Sequence, residues 1–374
     1  QEVFSYYYQG NLPVHALPQE RPLDPAATER ALTRLAEPGQ RVFALFWATD
    51  ESDPERFVEG WLDSHAYKAL DSWYGNVRLV TYAVPEQTPA SPDHSLGTAL
   101  TSNETGDEIL LQGYSLLDDR LSAGDIAQFT LFWQASRTPT QRYRVFLHVL
   151  DTDNHIVGQR DAEPGGGARL TTLWEAGEQV ADNYGVLIHP ATPPGEYRVE
   201  VGMYNLETGQ RLVTPGGATQ VWLEPLTVDR PLAAAPTLAL GMQHTAGAEL
   251  GELTLLGYDM HKLGFAHQPD ATLQPGEVLQ VNLYWGVEAD PRGDWRVLLT
   301  LLDPDEQERA NITVEPVGGH PTGLWQAGDL WRGQFSLGVP ADAPEGEYRV
   351  RIQPLAPDGT APGVYLSEPL PVGH

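Results

Sequence analysis

Cysteine is absent from this chain of 374 residues, and lysine occurs only twice, at Lys68 and Lys262. Without cysteine, the chain can form neither disulfide bonds nor thiolate metal sites. A net charge of −28 argues against a nucleic-acid partner, because a phosphate-binding surface needs clustered Lys and Arg. No apolar run approaches the roughly 20 residues of a membrane-spanning helix.

Proline and glycine are abundant, with 31 and 37 residues, and hydrophobic residues make up 41% of the chain. A chain of this composition can bury a core, so it is not disordered. Short apolar runs separated by clusters of Pro and Gly are typical of β-sandwiches and β-barrels. The length predicts more than one domain.

The second half of the chain contains the same module twice. Residues 193–201 (PPGEYRVEV) return as residues 344–352 (PEGEYRVRI), which places Tyr197 and Tyr348 151 residues apart. An ordered series of such matches indicates duplication of a folded unit. We therefore expect the two tyrosines at equivalent positions on a strand that follows a Pro-Gly turn.

Tryptophan recurs at nearly the same spacing: Trp133 matches Trp285, 152 residues later, and Trp174 matches Trp325, 151 residues later. Exposed indoles of this kind could form sugar-stacking platforms in a concave site. Trp133 and Trp285, however, share strand parity with apolar neighbours, and both repeats keep them. We therefore expect them in the two cores.

The first 86 residues differ from the rest, because helix signals alternate with strand signals. Asp24-Pro25 and Asp53-Pro54 are typical helix starts. Residues 41–47 (RVFALFW) form a near-continuous apolar run, as a strand buried on both faces requires. A further strand is expected over residues 77–83. This alternation predicts a small parallel sheet, from which a strand before residue 1 is missing.

The predicted fold class is therefore multidomain, α/β plus all-β. A small, partial parallel α/β domain (residues 1–86) precedes two tandem, duplicated β-sandwich (Ig-like) domains (residues 96–231 and 238–374).

Two groups of acidic residues are candidate sites. Asp50 and Glu51 follow the predicted strand at residues 41–47, at the kind of sheet edge where α/β proteins bind ligands. The alternative role for this acidic segment is capping of the helix that starts at Pro54. In the repeats, oxygen ligands alternating in a loop suggest calcium, whereas Asp in a β-turn accepts backbone hydrogen bonds. The four calcium candidates are Asp151, Asp153, Asp303 and Asp305.

Motifs for a hydrolase nucleophile, a phosphate-binding loop or a dinucleotide site do not occur in the sequence. The residues therefore predict no catalytic site and no cofactor for this segment.

Four segments of the first domain resemble a known family: YYYQGNLPV at 6–14, RVFALFW at 41–47, WLDSHAYK at 61–68 and WYGNVRL at 73–79. They are similar to the soluble C-terminal region of bacterial dolichyl-phosphate-mannose-protein mannosyltransferase-like membrane glycosyltransferases. In that family the transmembrane part carries the polyprenyl-phosphate-sugar site and the catalytic acid. The resemblance thus implies a non-catalytic, extracytoplasmic segment, anchored through an upstream membrane region, that positions acceptor, glycan or partner.

Two other hypotheses stay open. The chain could be a secreted or cell-surface structural protein whose tandem sandwiches act as spacers or assembly modules. It could also be a pair of carbohydrate-binding modules. The expected partners are accordingly the transmembrane portion of a parent protein, a cell-surface partner or a glycan.

Overall fold

The computed structural model describes residues 8–266, 268 and 271–373. The expectation of a strand before residue 1 concerns chain outside these residues and stays a prediction. The first domain combines three helices with three strands among the residues described. Its elements are α1 (Pro25–Leu35), β1 (Arg41–Phe46), α2 (Thr49–Ser52), α3 (Phe57–His65), β2 (Tyr67–Tyr74) and β3 (Val77–Ala83).

The prediction of a parallel sheet in this domain is wrong. The strand order is β1-β3-β2, and β3 runs antiparallel to both neighbours. The sequence analysis missed β2, which continues into β3 through a two-residue turn at Gly75-Asn76, with Gly75 at φ 62°. Such a turn closes a hairpin and forces antiparallel pairing. β1 and β2 are still parallel to each other, on either side of β3.

The helices cover only one face of this sheet. Leu32 of α1 and Leu62 of α3 are buried in one cluster with Val80 and Tyr82 of β3. The expectation that β1 is buried on both faces is wrong, because its residues alternate between exposed and half-buried. The physical reason is that, among residues 8–86, no helix lies on the second face, and the first sandwich contacts that face at the end that carries Tyr67 and Ala69.

The first sandwich consists of two facing sheets, with orders β10-β7-β5-β4 and β6-β12-β11-β8-β9. Their inward side chains form one hydrophobic core. Its strands are β4 (His94–Thr101), β5 (Glu108–Leu116), β6 (Arg120–Ser122), β7 (Ile126–Ala135), β8 (Tyr143–Leu150), β9 (Ile156–Ala162), β10 (Gln179–Leu187), β11 (Gly195–Asn205) and β12 (Val221–Asp229).

The second sandwich repeats this plan, with sheet orders β18-β15-β14-β13 and β17-β16-β19-β20, and with β21 also paired to β19. A second hydrophobic core fills the space between the sheets. Its strands are β13 (His244–Leu250), β14 (Leu253–Lys262), β15 (Val278–Gly286), β16 (Arg296–Leu302), β17 (Glu308–Val314), β18 (Leu330–Gly338), β19 (Gly346–Leu355), β20 (Tyr365–Leu366) and β21 (Leu370–Val372).

Equivalent strands occupy equivalent places in the two sandwiches, which confirms the predicted duplication. Tyr197 is the third residue of β11, and Tyr348 is the third residue of β19. Each tyrosine hydroxyl donates to the carbonyl oxygen four residues upstream, at 2.7 Å to Pro193 and 2.8 Å to Pro344. This tyrosine corner is a hallmark of Ig-like sandwiches.

The four repeated tryptophans are core residues, as expected. Trp133 and Trp285 have no exposed surface, and Trp174 and Trp325 are buried as well. None of the four is available for stacking on a sugar. The fold class is therefore confirmed for both sandwiches.

Each domain contacts one sheet of the next domain along the chain. The Tyr67 hydroxyl of β2 lies 2.7 Å from Thr130 Oγ1 of β7, on the outer side of the first sandwich. At the second junction, the backbone N–H of Arg332 in β18 donates to Ala191 O at 2.8 Å. β7 and β18 belong to equivalent sheets of the two sandwiches. The three domains are therefore joined by direct contacts in addition to their linkers.

Candidate functional site

The calcium candidates of the first repeat lie in the turn between β8 and β9. Asp151 Oδ1 accepts the backbone N–H groups of Asp153 at 2.9 Å and of His155 at 2.8 Å. Asn154, with φ 67°, completes the tight turn. One carboxylate oxygen of Asp151 thus accepts hydrogen bonds within the turn, as expected if Asp151 stabilises a β-turn rather than binding calcium.

The second repeat has the same turn between β16 and β17. Asp303 Oδ1 accepts the N–H groups of Asp305 at 2.9 Å and of Gln307 at 2.8 Å, and Oδ2 accepts Arg309 Nε at 2.7 Å. In the part of the chain that the structure describes, no three His, Asp or Glu residues gather into a group that could hold a metal ion. These contacts favour a turn role for both loops.

Asp50 and Glu51 lie on the four-residue helix α2, and both are exposed. The neighbouring Asp53 is the capping residue of this acidic segment. It accepts the N–H groups of Phe57 and Val58, each at 2.8 Å. The helix expected at Pro54 therefore begins three residues later, at Phe57, and Asp50 and Glu51 take no part in its cap.

A buried network of charged side chains, which the sequence analysis missed, joins α3 to the β2–β3 hairpin. Lys68 Nζ lies 2.9 Å from Glu59 Oε1 and 2.8 Å from Asp63 Oδ2. Arg78 donates to both oxygens of Asp71, at 2.7 and 2.6 Å, and to Glu59 at 3.0 Å. Paired charges of this kind fix one arrangement of neighbouring elements.

The environment shifts the two buried carboxyl groups of this network in opposite directions. Burial raises the pKa of Glu59, but hydrogen bonds from Arg78 and Lys68 outweigh burial and leave the pKa below its usual value. Burial dominates at Asp63 and raises its pKa despite the neighbouring Lys68. Asp63 also accepts a hydrogen bond from the Tyr82 hydroxyl at 2.8 Å. The carboxyl groups of Glu59 and Asp63 therefore both make contacts within the first domain.

An exposed apolar surface of the first domain lies on the face of its sheet opposite the helices. Cross-strand pairing places Phe43 and Leu70 on either side of Thr81, and Leu45 beside Leu79. Exposure reaches 49% for Phe43, 44% for Leu45 and 38% for Leu70. We call this surface the aromatic face: Phe43, Leu45, Leu70 and Tyr74 share it by strand register, and we include Trp47, which directly follows β1.

The two largest side chains of the aromatic face are also its most exposed. Trp47 and Tyr74 are each 64% exposed. Contiguous exposed apolar side chains mark sites of interaction, whereas scattered single ones do not. β1 is also an edge strand, with no second neighbour among the described residues. An edge of this kind can pair with an added strand.

Comparisons with known proteins do not establish a family. No family model matches the chain. Over 137 residues it is 29% identical to a 3-phosphoshikimate 1-carboxyvinyltransferase of Rhizobium leguminosarum bv. trifolii, a match that covers 37% of this chain. The chain spans only 30% of the length of that curated relative.

Two solved structures show weak similarity. The C-terminal domain of wzt matches with a TM-score of 0.27 and 14% identity, over 36% of this chain and 82% of that one. A putative β-galactosidase from Bacteroides fragilis matches with a TM-score of 0.22 and 11% identity, over 68% of this chain and 34% of that one. Both scores are too low to support an argument. Separately, no helix within the described residues is long and apolar enough to cross a membrane.

Proposed function

We propose that this chain is the non-catalytic, extracytoplasmic part of a membrane glycosyltransferase-like protein, and that its aromatic face docks on the membrane-embedded part of that protein. The observation that carries the proposal is the exposure of four large apolar side chains on one side of a three-stranded sheet, together with the exposed Trp47 that directly follows β1. We choose the membrane-embedded part as the partner because the first domain resembles the C-terminal region of that family.

Burial of the aromatic face would supply the binding free energy. Removing apolar surface from water contributes about 25 cal/mol per Å². Trp and Tyr are enriched among residues that dominate binding energy, because they are large and lose little entropy. The sheet beneath them is fixed by the network around Lys68 and Arg78, so the face is formed before the partner arrives.

Charge favours a protein surface over a lipid surface as the partner. The chain carries a net charge of −28, which anionic headgroups repel. Stable lipid binding by an exposed apolar patch usually gains from basic residues beside it. The three cations on the strands of this sheet are all paired with carboxylates: Arg41 with Asp125, Lys68 with Glu59, and Arg78 with Asp71. We therefore assign the aromatic face to an apolar protein surface.

Site-specific photo-crosslinking in the full-length gene product tests this docking. A photoreactive amino acid replaces Leu45, and in a matched control it replaces Leu324, a leucine of the second sandwich that is 58% exposed. We expect an adduct between position 45 and a transmembrane segment of the same protein, and none from position 324. Equal crosslinking from both positions, or none from position 45, overturns the docking proposal.

A second candidate function is a rigid spacer on a cell surface, and the junction between the sandwiches favours it. Arg230 of the linker pairs with Asp329, and Ala191 lies in one buried cluster with Tyr284 and Leu330. The coding sequence upstream of residue 1 distinguishes the docking function from the spacer function. Transmembrane segments favour docking, whereas a signal peptide alone favours the spacer.

A further inference from the structure

On the outer side of one sheet of the first sandwich, polar and aromatic side chains lie next to one another across four strands. Cross-strand pairing places Glu200 of β11 between Trp222 of β12 and His148 of β8, and His148 beside Gln159 of β9. We call these four residues the cross-strand row. With strands about 4.8 Å apart, the row spans roughly 14 Å.

Polar contacts fix the middle of the row. His148 Nδ1 lies 3.0 Å from Glu200 Oε1, and His148 Nε2 lies 3.1 Å from Asp161 Oδ1. The Tyr204 hydroxyl donates to the other oxygen of Asp161 at 3.3 Å. Glu200 and His148 are buried, whereas Asp161 is exposed. Asp161, which follows Gln159 on β9 beside the row, therefore presents a carboxylate of fixed orientation to solvent.

Trp222 forms the open end of the row. Trp222 is 43% exposed, and the Arg198 guanidinium lies 5.1 Å from the centroid of its indole ring. An indole held against an arginine keeps one orientation. The first sandwich thus has a half-exposed aromatic surface beside hydrogen-bonding groups.

The second sandwich provides an internal control for this arrangement. The row occupies the same register there, but its residues are Leu366, Arg351, Thr300 and Asn311. No aromatic residue, histidine or carboxylate remains among the four. Because both sandwiches fold around the same core and the same tyrosine corner, the fold does not require the residues of the first row.

We propose that the cross-strand row of the first sandwich binds an uncharged oligosaccharide. The apolar side of one sugar ring can pack on the Trp222 indole, and its hydroxyls can accept from Arg198, whose Nη2 also donates to Asp151 O and Asn154 Oδ1. Hydroxyls of a further sugar unit can donate to Asp161 at the β9 end of the row. The mixture of opposite charges on this surface favours a neutral ligand, and the net charge of −28 disfavours an anionic one. This site is separate from the aromatic face, and the proposal does not rest on the proposed docking function.

Titration with uncharged oligosaccharides tests the proposal on the whole chain. Cellohexaose, maltohexaose and an α-linked mannohexaose are each added to ¹⁵N-labelled protein while the indole N–H signals are recorded. We expect at least one sugar to shift the Trp222 signal, and Trp222→Ala to weaken its binding about tenfold or more, which corresponds to about 1.4 kcal/mol. Leu366→Ala, at the same register of the second sandwich and 42% exposed, should leave binding unchanged.

Two results overturn the proposal. The first is no shift of the Trp222 signal with any of the three sugars at about 10 mM, a concentration at which millimolar affinity is detected. The second is sugar binding that Trp222→Ala leaves unchanged. A second variant, Glu200→Gln, keeps the size of the side chain and removes its charge. It should weaken sugar binding through the disturbed His148 and Asp161 contacts, while the far-ultraviolet circular dichroism stays that of the folded chain. Photo-crosslinking from Leu45 should be unaffected by either variant, so failure of one proposal is distinguishable from failure of the other.

Discussion

The two sandwiches agree in their interiors and differ on their outer surfaces. Trp133 and Trp285 fill equivalent core positions, and Tyr197 and Tyr348 make the same hydrogen bond to a proline carbonyl. Position 148 holds a histidine between two carboxylates, whereas its counterpart Thr300 meets an arginine. The comparison distinguishes residues that both copies share in their cores from residues on the outer surface that the common fold does not require.

The largest expected effect comes from the shared core. Trp133→Ala and Trp285→Ala should each lower the free energy of unfolding by about 3 to 5 kcal/mol, because each removes a fully buried indole. Denaturant unfolding of the two variants, followed by circular dichroism, measures both losses. A large loss in one repeat with little change in the other would break the equivalence of the two cores.

A smaller effect, found only in the first sandwich, is expected at His148. Burial lowers the pKa of His148, but the hydrogen bonds to Asp161 and Glu200 outweigh burial and raise the pKa above the usual 6.5. The protonated imidazole therefore stabilises the fold below about pH 6.5, and this contribution is lost as the pH rises through the raised pKa. His148→Gln should cost about 1 to 3 kcal/mol at low pH and less at high pH.

Unfolding midpoints of wild type and His148→Gln from pH 5 to 9 measure this difference. Thr300→Val in the second sandwich is the matched control, and its effect should not depend on pH in this range. A constant difference between wild type and His148→Gln at every pH would contradict a charged histidine in the row.

The tyrosine corners should respond alike and more weakly. Tyr197→Phe and Tyr348→Phe each delete one hydroxyl and its hydrogen bond, of 2.7 and 2.8 Å, and leave the ring in place. A hydrogen bond of this kind contributes about 1 kcal/mol. Thermal unfolding of both variants should show similar small decreases, and unequal decreases would limit the equivalence of the two corners.

The smallest effects on stability are expected at the outer ends of the rows. Trp222→Ala and Leu366→Ala change half-exposed side chains, so each should alter the free energy of unfolding by no more than about 1 kcal/mol, part of which comes at Trp222 from the lost contact with Arg198. Chemical denaturation of the two variants checks this. A large loss for Trp222→Ala would assign the indole to the fold and weaken its assignment to a ligand.

The repeated sequence predicted the sandwiches well, because duplication reveals which residues the fold requires. The match between Tyr197 and Tyr348 predicted equivalent positions on a strand, and the repeated tryptophans predicted core residues; the hydrogen bonds of the corner came from the structure. The turn roles of Asp151 and Asp303 were likewise an alternative that sequence reasoning could weigh. Each carboxylate accepts two backbone N–H groups in the structure.

The first domain was harder to predict, because it occurs once. Both sides of β1 are apolar, so periodicity could not distinguish a doubly buried strand from one with an exposed aromatic face. The Gly75-Asn76 pair between two apolar segments was the signal for a hairpin, and it would have revealed β2 and the antiparallel sheet. The network of Lys68 with Glu59 and Asp63 depends on tertiary contacts. The sequence signal for this network was that lysine occurs only twice in the chain, which made Lys68 unusual.

The cross-strand row could not be predicted either, because its four residues are distributed over four strands. Trp222 and Gln159 are far apart in sequence, and only the strand register brings them into line. Comparison of the repeats position by position would have shown where they differ. It would not have shown that the differing residues lie side by side.

Hydrogen exchange in β1 tests the proposed docking of the aromatic face most directly. Backbone amides of Arg41–Phe46 are followed in the isolated chain and in the full-length gene product, with amides of Val278–Gly286 in the second sandwich as reference. The account predicts slower exchange in β1 of the full-length protein and unchanged exchange in the reference strand. Equal exchange of β1 in both proteins would contradict the assignment of the aromatic face to a partner within the same protein.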